Sequence, residues 1–376
     1  MTGGTLDLNG DDNQNNFPAP DGFGVITNTS PYARAVLKMG LSGGATRTFS
    51  GVIQNGNGGA MTTSIVPNSN DGVVPVVYKQ GYRMDIDMAA FGDSETLVLA
   101  GANTYGGFTR IGGGKLTFLP GGRWGVPVST GDPITSSPNG TIICNGGIGN
   151  LRVDFNGTNQ VTGGLSGSGG IFANNADGTC SILTVGAANI SNTVWPTGGS
   201  GQNGKIVDTT IIGGTGVVAL IKTGAGTIGL PTAHNTYSGF TMINNGILEF
   251  TANGAPSPNS DHQINSPGVL KLSYTGTRNI NGLYLNGVKM GAGTYGAASN
   301  PAFFQGGGTV TVVQVHPSVP TILIPSRSGI DFMIEWSGCG MFQQSTDLVN
   351  WTNILGAVAP YSVPISGPKK FFRVRY

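Results

Sequence analysis

The chain has 376 residues and a net charge of +1, from 19 basic and 18 acidic side chains, so no basic stripe is present to neutralise phosphates and nucleic-acid binding loses its electrostatic footprint. It holds 65 glycines, where about 7 % is usual, yet 38 % of its residues are hydrophobic and only 10 % are charged, a balance too apolar for a disordered linker. No apolar run reaches the roughly 18 residues of a spanning helix, so the expectation is a folded β-rich chain, not membrane-spanning, surfaced by Asn, Thr, Ser and Gly.

In chain order, Gly3-Gly4-Thr5-Leu6-Asp7-Leu8-Asn9-Gly10 comes first. It reads like the middle of a repeat, with no leader before it, and suggests a mature or truncated piece of a longer precursor. Asp11-Asp12 with Asn13, Asn15 and Asn16 gathers oxygen atoms suited to a hard cation. The nonapeptide of calcium-stacked rolls is missing, so a solvated loop is expected there, with no metal and no cofactor anywhere in the chain. Asn55-Gly56, Asn57-Gly58 and Asn139-Gly140 are hairpin or protruding-loop signals. Residues 82–91 are the best helix candidate, although Asp85-Ile86-Asp87 alternates as a strand does. Asp85, Asp87, Asp93 and Glu95 form the acidic cluster in which a glycosidase would place its two carboxylates.

The strongest signal is internal repetition. Residues 103–118 read NTYGGFTRIGGGKLTF and residues 235–250 read NTYSGFTMINNGILEF, identical at ten of sixteen positions and offset by 132. A weaker echo joins Leu6-Asp7-Leu8-Asn9-Gly10 to Val153-Asp154-Phe155-Asn156-Gly157. Within each copy, short period-two strands are separated by Gly- and Asn-rich corners, which suits a coiling parallel β-helix better than a hairpin sandwich. Asn103 and Asn235 are candidates to hydrogen-bond backbone groups of the turns above and below, as asparagine ladders do. Tyr105, Phe108, Tyr237 and Phe240 are candidates for stacked core aromatics, with a sugar-binding platform as the competing reading.

Three cysteines are too few for a disulfide framework. Cys144, Cys180 and Cys339 are read as buried thiols, with a Cys144–Cys180 bridge as the alternative because both lie in one repeat block. His234, His262 and His316 have no metal-ligand spacing and are read as turn or surface residues.

Ile221-Lys222-Thr223-Gly224-Ala225-Gly226-Thr227-Ile228-Gly229-Leu230, followed by Asn235-Thr236-Tyr237-Ser238-Gly239-Phe240-Thr241, resembles the autotransporter-associated β-strand repeat. The first copy keeps the NTY half and replaces the other with Gly92-Asp93-Ser94-Glu95-Thr96. Leu283–Val288 and Gly291–Gly296 resemble the segment that closes such arrays. Residues 331–376, rich in short strands and ending Phe371-Phe372-Arg373-Val374-Arg375-Tyr376, resemble the C-terminal β-sandwich of secreted proteins from Verrucomicrobia-type bacteria. The resemblance implies a bacterial protein that is secreted or displayed at the cell surface, and no enzyme.

The expected fold is all-β, a parallel β-helix (β-solenoid) followed by a small C-terminal β-sandwich. Repeat block 1 covers 1–135, block 2 covers 136–265, the closing segment 266–316 and the sandwich 317–376. The expected function is non-enzymatic and structural: a rigid solenoid that self-assembles into a fibre or appendage through its ends and its C-terminal domain. An adhesin that binds glycans or surfaces is the alternative, and a polysaccharide-degrading enzyme a third reading.

Overall fold

The computed structural model describes residues 2–11, 17–31, 33–56, 62–67, 76–81, 83–125, 140–145, 150–189, 204–230, 234–313, 321–322, 326–328, 331–334, 336–337, 339, 341–354, 361–364 and 369–375. Among these, every regular element is a β-strand, including Met84–Phe91, where the sequence also allowed a helix. Alternation explains why. In Met84–Phe91 the side chains of Met84, Ile86 and Met88 enter the core, while Asp85 and Asp87 take the other face. Lys115–Phe118 does the same, burying Leu116 and Phe118 and leaving Lys115 and Thr117 half-exposed.

The chain coils so that each strand pairs, parallel and in register, with strands of neighbouring turns. Leu99 lies beside Phe49 on one side and Phe118 on the other. Leu220 lies opposite Thr241 and Thr241 opposite His262, one turn every 21 residues. An eleven-stranded sheet supplies two walls of the first half. One wall runs from Phe17–Pro18 through Ala35–Leu41, Met84–Phe91, Thr109–Ile111 and Thr141–Asn145. The other runs from Thr46–Phe49 through Thr96–Leu99, Lys115–Phe118 and Leu151–Asp154. The long strand Gly164–Ala173 belongs to both, pairing with Thr141–Asn145 by its first half and with Leu151–Asp154 by its second. A seven-stranded sheet starting at Gln160–Thr162 and a four-stranded sheet starting at Thr227–Leu230 continue the stack.

One continuous apolar core fills the interior from Leu8 to Val312. Phe118, Trp124, Phe155 and Phe172 meet edge to face along it, with centroids 5.3, 6.3 and 6.1 Å apart. Each such fully buried side chain contributes roughly 2–3 kcal/mol, so stability is distributed along the stack rather than gathered at a centre.

The two ends differ. Among the described residues, strand Thr2–Asp7 pairs on one side, with Phe23–Thr27. At the other end Val288–Lys289 folds back antiparallel on Gly282–Leu285. Its tight turn needs left-handed backbone at both central residues, supplied by Asn286 (φ 49°) and Gly287 (φ 78°). Gly293–Gly296 likewise lies antiparallel on Thr309–Val312. An antiparallel hairpin, Thr62–Pro67 with Val76–Gly81, branches off between two turns. Asn57-Gly58 and Asn139 lie outside the described residues. Asn55 is buried at a corner of the stack rather than at a hairpin tip.

Beyond the stack, small antiparallel sheets form from Thr321–Ile322 with Trp336–Ser337, from Ser326–Ser328, Asp331–Ile334 and Tyr361–Pro364, and from Met341–Ser345, Thr352–Asn353 and Phe371–Arg375. Phe342 stacks between Trp336, 4.5 Å away, and Phe372, 5.4 Å away. Trp351 lies apart from that stack and carries the Arg373 guanidinium 4.1 Å above its ring.

Neither three free thiols nor the alternative, a Cys144–Cys180 bridge, is found. Cys180 is bonded to Cys339 and Cys144 is a free buried thiol. Parity is the reason. Cys144 shares the inward parity of Ile142, whereas Cys180 and Ile182 alternate with the inward-facing Leu183 and Val185 and so point out of the wall. A thiol inside the stack and one on an outer wall cannot meet.

Candidate functional site

The corners of the stack are where polar side chains do most. Asn103 is fully buried; its Oδ1 accepts the Ile53 N–H at 2.8 Å and its Nδ2 donates to the Arg123 carbonyl at 2.6 Å. Asn235 repeats the arrangement, with Oδ1 on the Ile206 N–H and Nδ2 on the Ala255 carbonyl, both at 2.8 Å. In each case an acceptor faces the preceding turn and a donor the following one. An amide carries both on one short stem, so one side chain pairs two backbone groups that would otherwise be buried unmet.

Two residues on, Tyr105 and Tyr237 are also fully buried, and their hydroxyls pair with the Oγ1 atoms of Thr109 and Thr241 at 2.6 and 2.7 Å. Burial pushes the Tyr105 phenol up to about 12 and raises that of Tyr237 as well. Neither ring is available as a sugar platform. The phenylalanines of the box behave differently from the core role expected of them. Thr241 and Ile243 turn inward, so Phe240 and Met242 turn outward into a separate apolar cluster. Phe108 is half-buried on the equivalent outer face, with the Arg83 guanidinium 6.0 Å above its ring. Gly107 and Gly239 allow each box to close on the preceding turn. A Cβ there would sit 1.8 Å from Asp85 Oδ1 and 2.3 Å from the Val218 carbonyl, respectively. A carboxylate receives each box, Asp85 at the Phe108 N–H and Asp208 at the Ser238 N–H, at 3.0 and 2.9 Å.

The weaker echo marks a second kind of corner. Asn9 and Asn156 adopt left-handed φ of 44° and 47°, which asparagine tolerates better than most side chains. Gly10 and Gly157 follow, and donate their N–H groups to Asn28 Oδ1 and Asn174 Oδ1 at 2.8 Å. Asn28 and Asn174 then donate onward to carbonyls, of Ala33 and Arg83 for the first and of Thr179 and Val217 for the second. Asp7 and Asp154 accept N–H groups from their own corner and from the next turn. The echo signalled these corners, but the partner asparagines, 17 or 18 residues further along, carried no local signal of their own.

Lys222 was not singled out by its sequence. It is buried, and its Nζ donates to the carbonyls of Thr223, Gly224 and Asn245 at 2.6, 2.7 and 3.0 Å, using all three protons. Burial pulls its pKa down to about 8. The lysine of the KTG sequence thus organises the turn that follows it.

The acidic cluster is partitioned among separate partners. Asp85 Oδ1 meets Arg83 Nε at 2.8 Å, with Arg34 3.6 Å from its other oxygen, and burial still raises its pKa. Asp87 is bonded to Arg110, whose pKa rises in consequence. Asp93 meets the buried Arg152 at 2.7 Å, and Glu95 accepts the Gly44 N–H at 2.9 Å. Each carboxylate holds backbone or a cation rather than facing a second carboxylate across a groove. No group of three His, Cys, Asp or Glu side chains is placed to hold a metal among the described residues. Asp12, Asn13, Asn15 and Asn16 of the cation-loop candidate lie outside them, as does His316. His234 is exposed. His262, read as a turn or surface residue, instead faces the core against Phe250, with Nδ1 3.1 Å from the Ser260 carbonyl. Its pKa falls to about 4, because burial penalises the imidazolium.

The arrangement is a scaffold of bridged corners, and its two best copies coincide with a known repeat: residues 93–118 and 220–250 match the passenger-associated-transport-repeat family. The chain carries two passenger-associated-transport repeats. Each repeat spans one strand, the NTY corner and the next two strands, so the bridging asparagine and the buried tyrosine are internal to it. The chain is 27 % identical, over 310 residues and 73 % of its length, to the adhesin BmaC autotransporter of Brucella suis biovar 1 (strain 1330). It spans only 8 % of that adhesin's length. No solved structure matches it. The repeats and this relative place the chain among secreted or cell-surface bacterial proteins.

Proposed function

We propose that this chain is a rigid, non-catalytic section of a surface passenger, a solenoid that sets the distance between a cell and whatever the passenger presents. The observation that carries the reading is the unbroken interior core from Leu8 to Val312, bridged at its corners by buried asparagines. Such a stack resists bending because successive turns are paired with one another along their strands. The paired state of Asp85, Asp87, Asp93 and Glu95 supports the absence of catalysis. We divide the chain into repeat blocks at 1–135 and 136–265, a closing segment at 266–316 and an appended β unit at 317–376.

Self-association belongs to the same proposal, at one end. The free edge of Thr2–Asp7 offers unpaired backbone groups to a further turn or to a second molecule. At the opposite end two sheets finish on antiparallel strands, while the four-stranded sheet finishes on the parallel strand Phe304–Gly306. A contact that joins this edge to its copy gives pairs of rods, and one that joins it to the opposite end gives filaments. Negative-stain electron microscopy with small-angle scattering tests both points. Straight particles of one length, joined end to end at high concentration, are expected; flexible or spherical particles overturn the stalk, and discrete monomers at high concentration overturn the self-association. Release of reducing sugars from a polysaccharide panel would remove the non-catalytic part.

The second reading is adhesion by the chain itself, favoured by the relative named as an adhesin. Display on a non-adherent bacterium, scored for attachment to glycan-coated surfaces, separates the two.

A further inference from the structure

The outer face of the seven-stranded sheet carries an apolar strip. Cys180 and Ile182 lie beside Val217 and Ala219 in register, and Ile221 lies beside Met242, with Phe240 at the corner before it. These side chains form an apolar cluster separate from the interior core, and Cys339 completes it. The equivalent outer face of the first half is mostly charged: Arg110 stands there with Asp85 and Asp87, and Phe108 is its one large apolar side chain among these. An apolar strip on a solvated wall needs a cover, and Cys339, bonded to Cys180 across 159 residues, packs against it.

No sheet contains strands from both the stack and the C-terminal unit among the described residues. Cys339 is the C-terminal member of the outer cluster, at 3 % exposure. Ile182, Val217 and Ile221 remain only partly buried. The disulfide therefore ties to the wall a unit that, among the described residues, shares no strand pairing with it.

We propose that Cys180–Cys339 is a redox latch, which clamps the C-terminal unit on the outer wall when oxidised and frees it when reduced. A dithiol supplies the two electrons and two protons: its thiolate attacks one sulfur, its second thiol closes a cyclic disulfide, and Cys180 and Cys339 leave as thiols. The freed unit swings away and uncovers Phe240 and Met242, now 1 % and 6 % exposed. Outside the cell the latch is closed, because disulfides persist there. The inference does not depend on the stalk reading, since a chain of any function could carry it.

The test uses the full chain, with and without prior reduction by dithiothreitol, followed by iodoacetamide, brief hydrogen peroxide and peptide mass spectrometry. Without reductant, Cys180 and Cys339 take no label and Met242 oxidises slowly. After reduction both are alkylated, Cys144 inside the wall stays unlabelled, and Met242 oxidises on the order of tenfold faster. Met84 and Met88, fully buried in the interior, stay slow and show that the stack has not unfolded. Cys339→Ser should give the fast Met242 rate with no reductant. The latch is overturned if Cys180 is alkylated without reductant, or if Met242 keeps its slow rate once both thiols are labelled or in Cys339→Ser.

Discussion

At the scale of single residues, the fold rests on a few amides whose two halves face different turns. Asn235→Ala would leave the Ile206 N–H and the Ala255 carbonyl buried without partners. Each such group costs about 1–3 kcal/mol, so the urea midpoint should fall by an amount equivalent to roughly 2–6 kcal/mol. The exposed Asn259→Ala, by contrast, should stay within about 0.5 kcal/mol. His262 gives the chain a pH dependence of definite sign. Its folded pKa, about 4, lies below the ordinary value of 6.5, so between those values the unfolded chain binds the extra proton. The stabilisation is complete above pH 6.5 and is lost as pH falls towards 4, up to about 3 kcal/mol in all. Melting curves of the native chain and His262→Gln between pH 7 and 4.5 should show the wild type losing more; equal slopes would place the proton elsewhere. The bridging of Asn103 and Asn235 is legible in the sequence, because a buried amide at a glycine-rich corner has few uses. The burial of His262 is not, since Asp261-His262-Gln263-Ile264 alternates ambiguously and only the ladder settles which parity is inward.

At the scale of strands and corners, the limit is how closely turns approach. Gly239 has no side chain because its place is taken by the Val218 carbonyl of the preceding turn. Gly239→Ala should force the two turns apart at a corner where Gly239 also donates to that carbonyl, at 3.0 Å. Overpacking of this kind costs about 1–3 kcal/mol. Gly291→Ala, with nothing within 4 Å of its Cβ, should be close to neutral in the same denaturation series. Strand type and the parallel coil are legible at this scale because the alternation in Lys115–Phe118 and the corners between strands need no long-range information. Which face is interior is harder. Val217–Lys222 reads VVALIK, apolar on both faces, and the outward placing of Ala219 and Ile221 follows only from the cover supplied by a distant segment. The same distance hides the partner of Cys180: 159 residues separate it from Cys339, and no local pattern links them.

At the scale of the whole molecule, the sequence shows a repeat array with something different appended, while the asymmetry of its ends emerges only in three dimensions. Asn286-Gly287 is a hairpin signal, but its role as a closure depends on the strand Gly282–Leu285 being the last in its wall to pair in parallel. The side-chain bridges at the corners also govern how such a molecule can change its length. A full turn near Thr241 takes 21 residues and advances the stack by one strand spacing, about 4.8 Å. Losing part of a turn would turn Asn235 towards the wrong carbonyl and put outward side chains inside. Losing a complete turn leaves each amide facing an equivalent pair of groups. For a gene encoding this fold, length is therefore an integer: the rod can be lengthened or shortened over generations by whole steps, and a fractional edit is paid for at every corner it displaces.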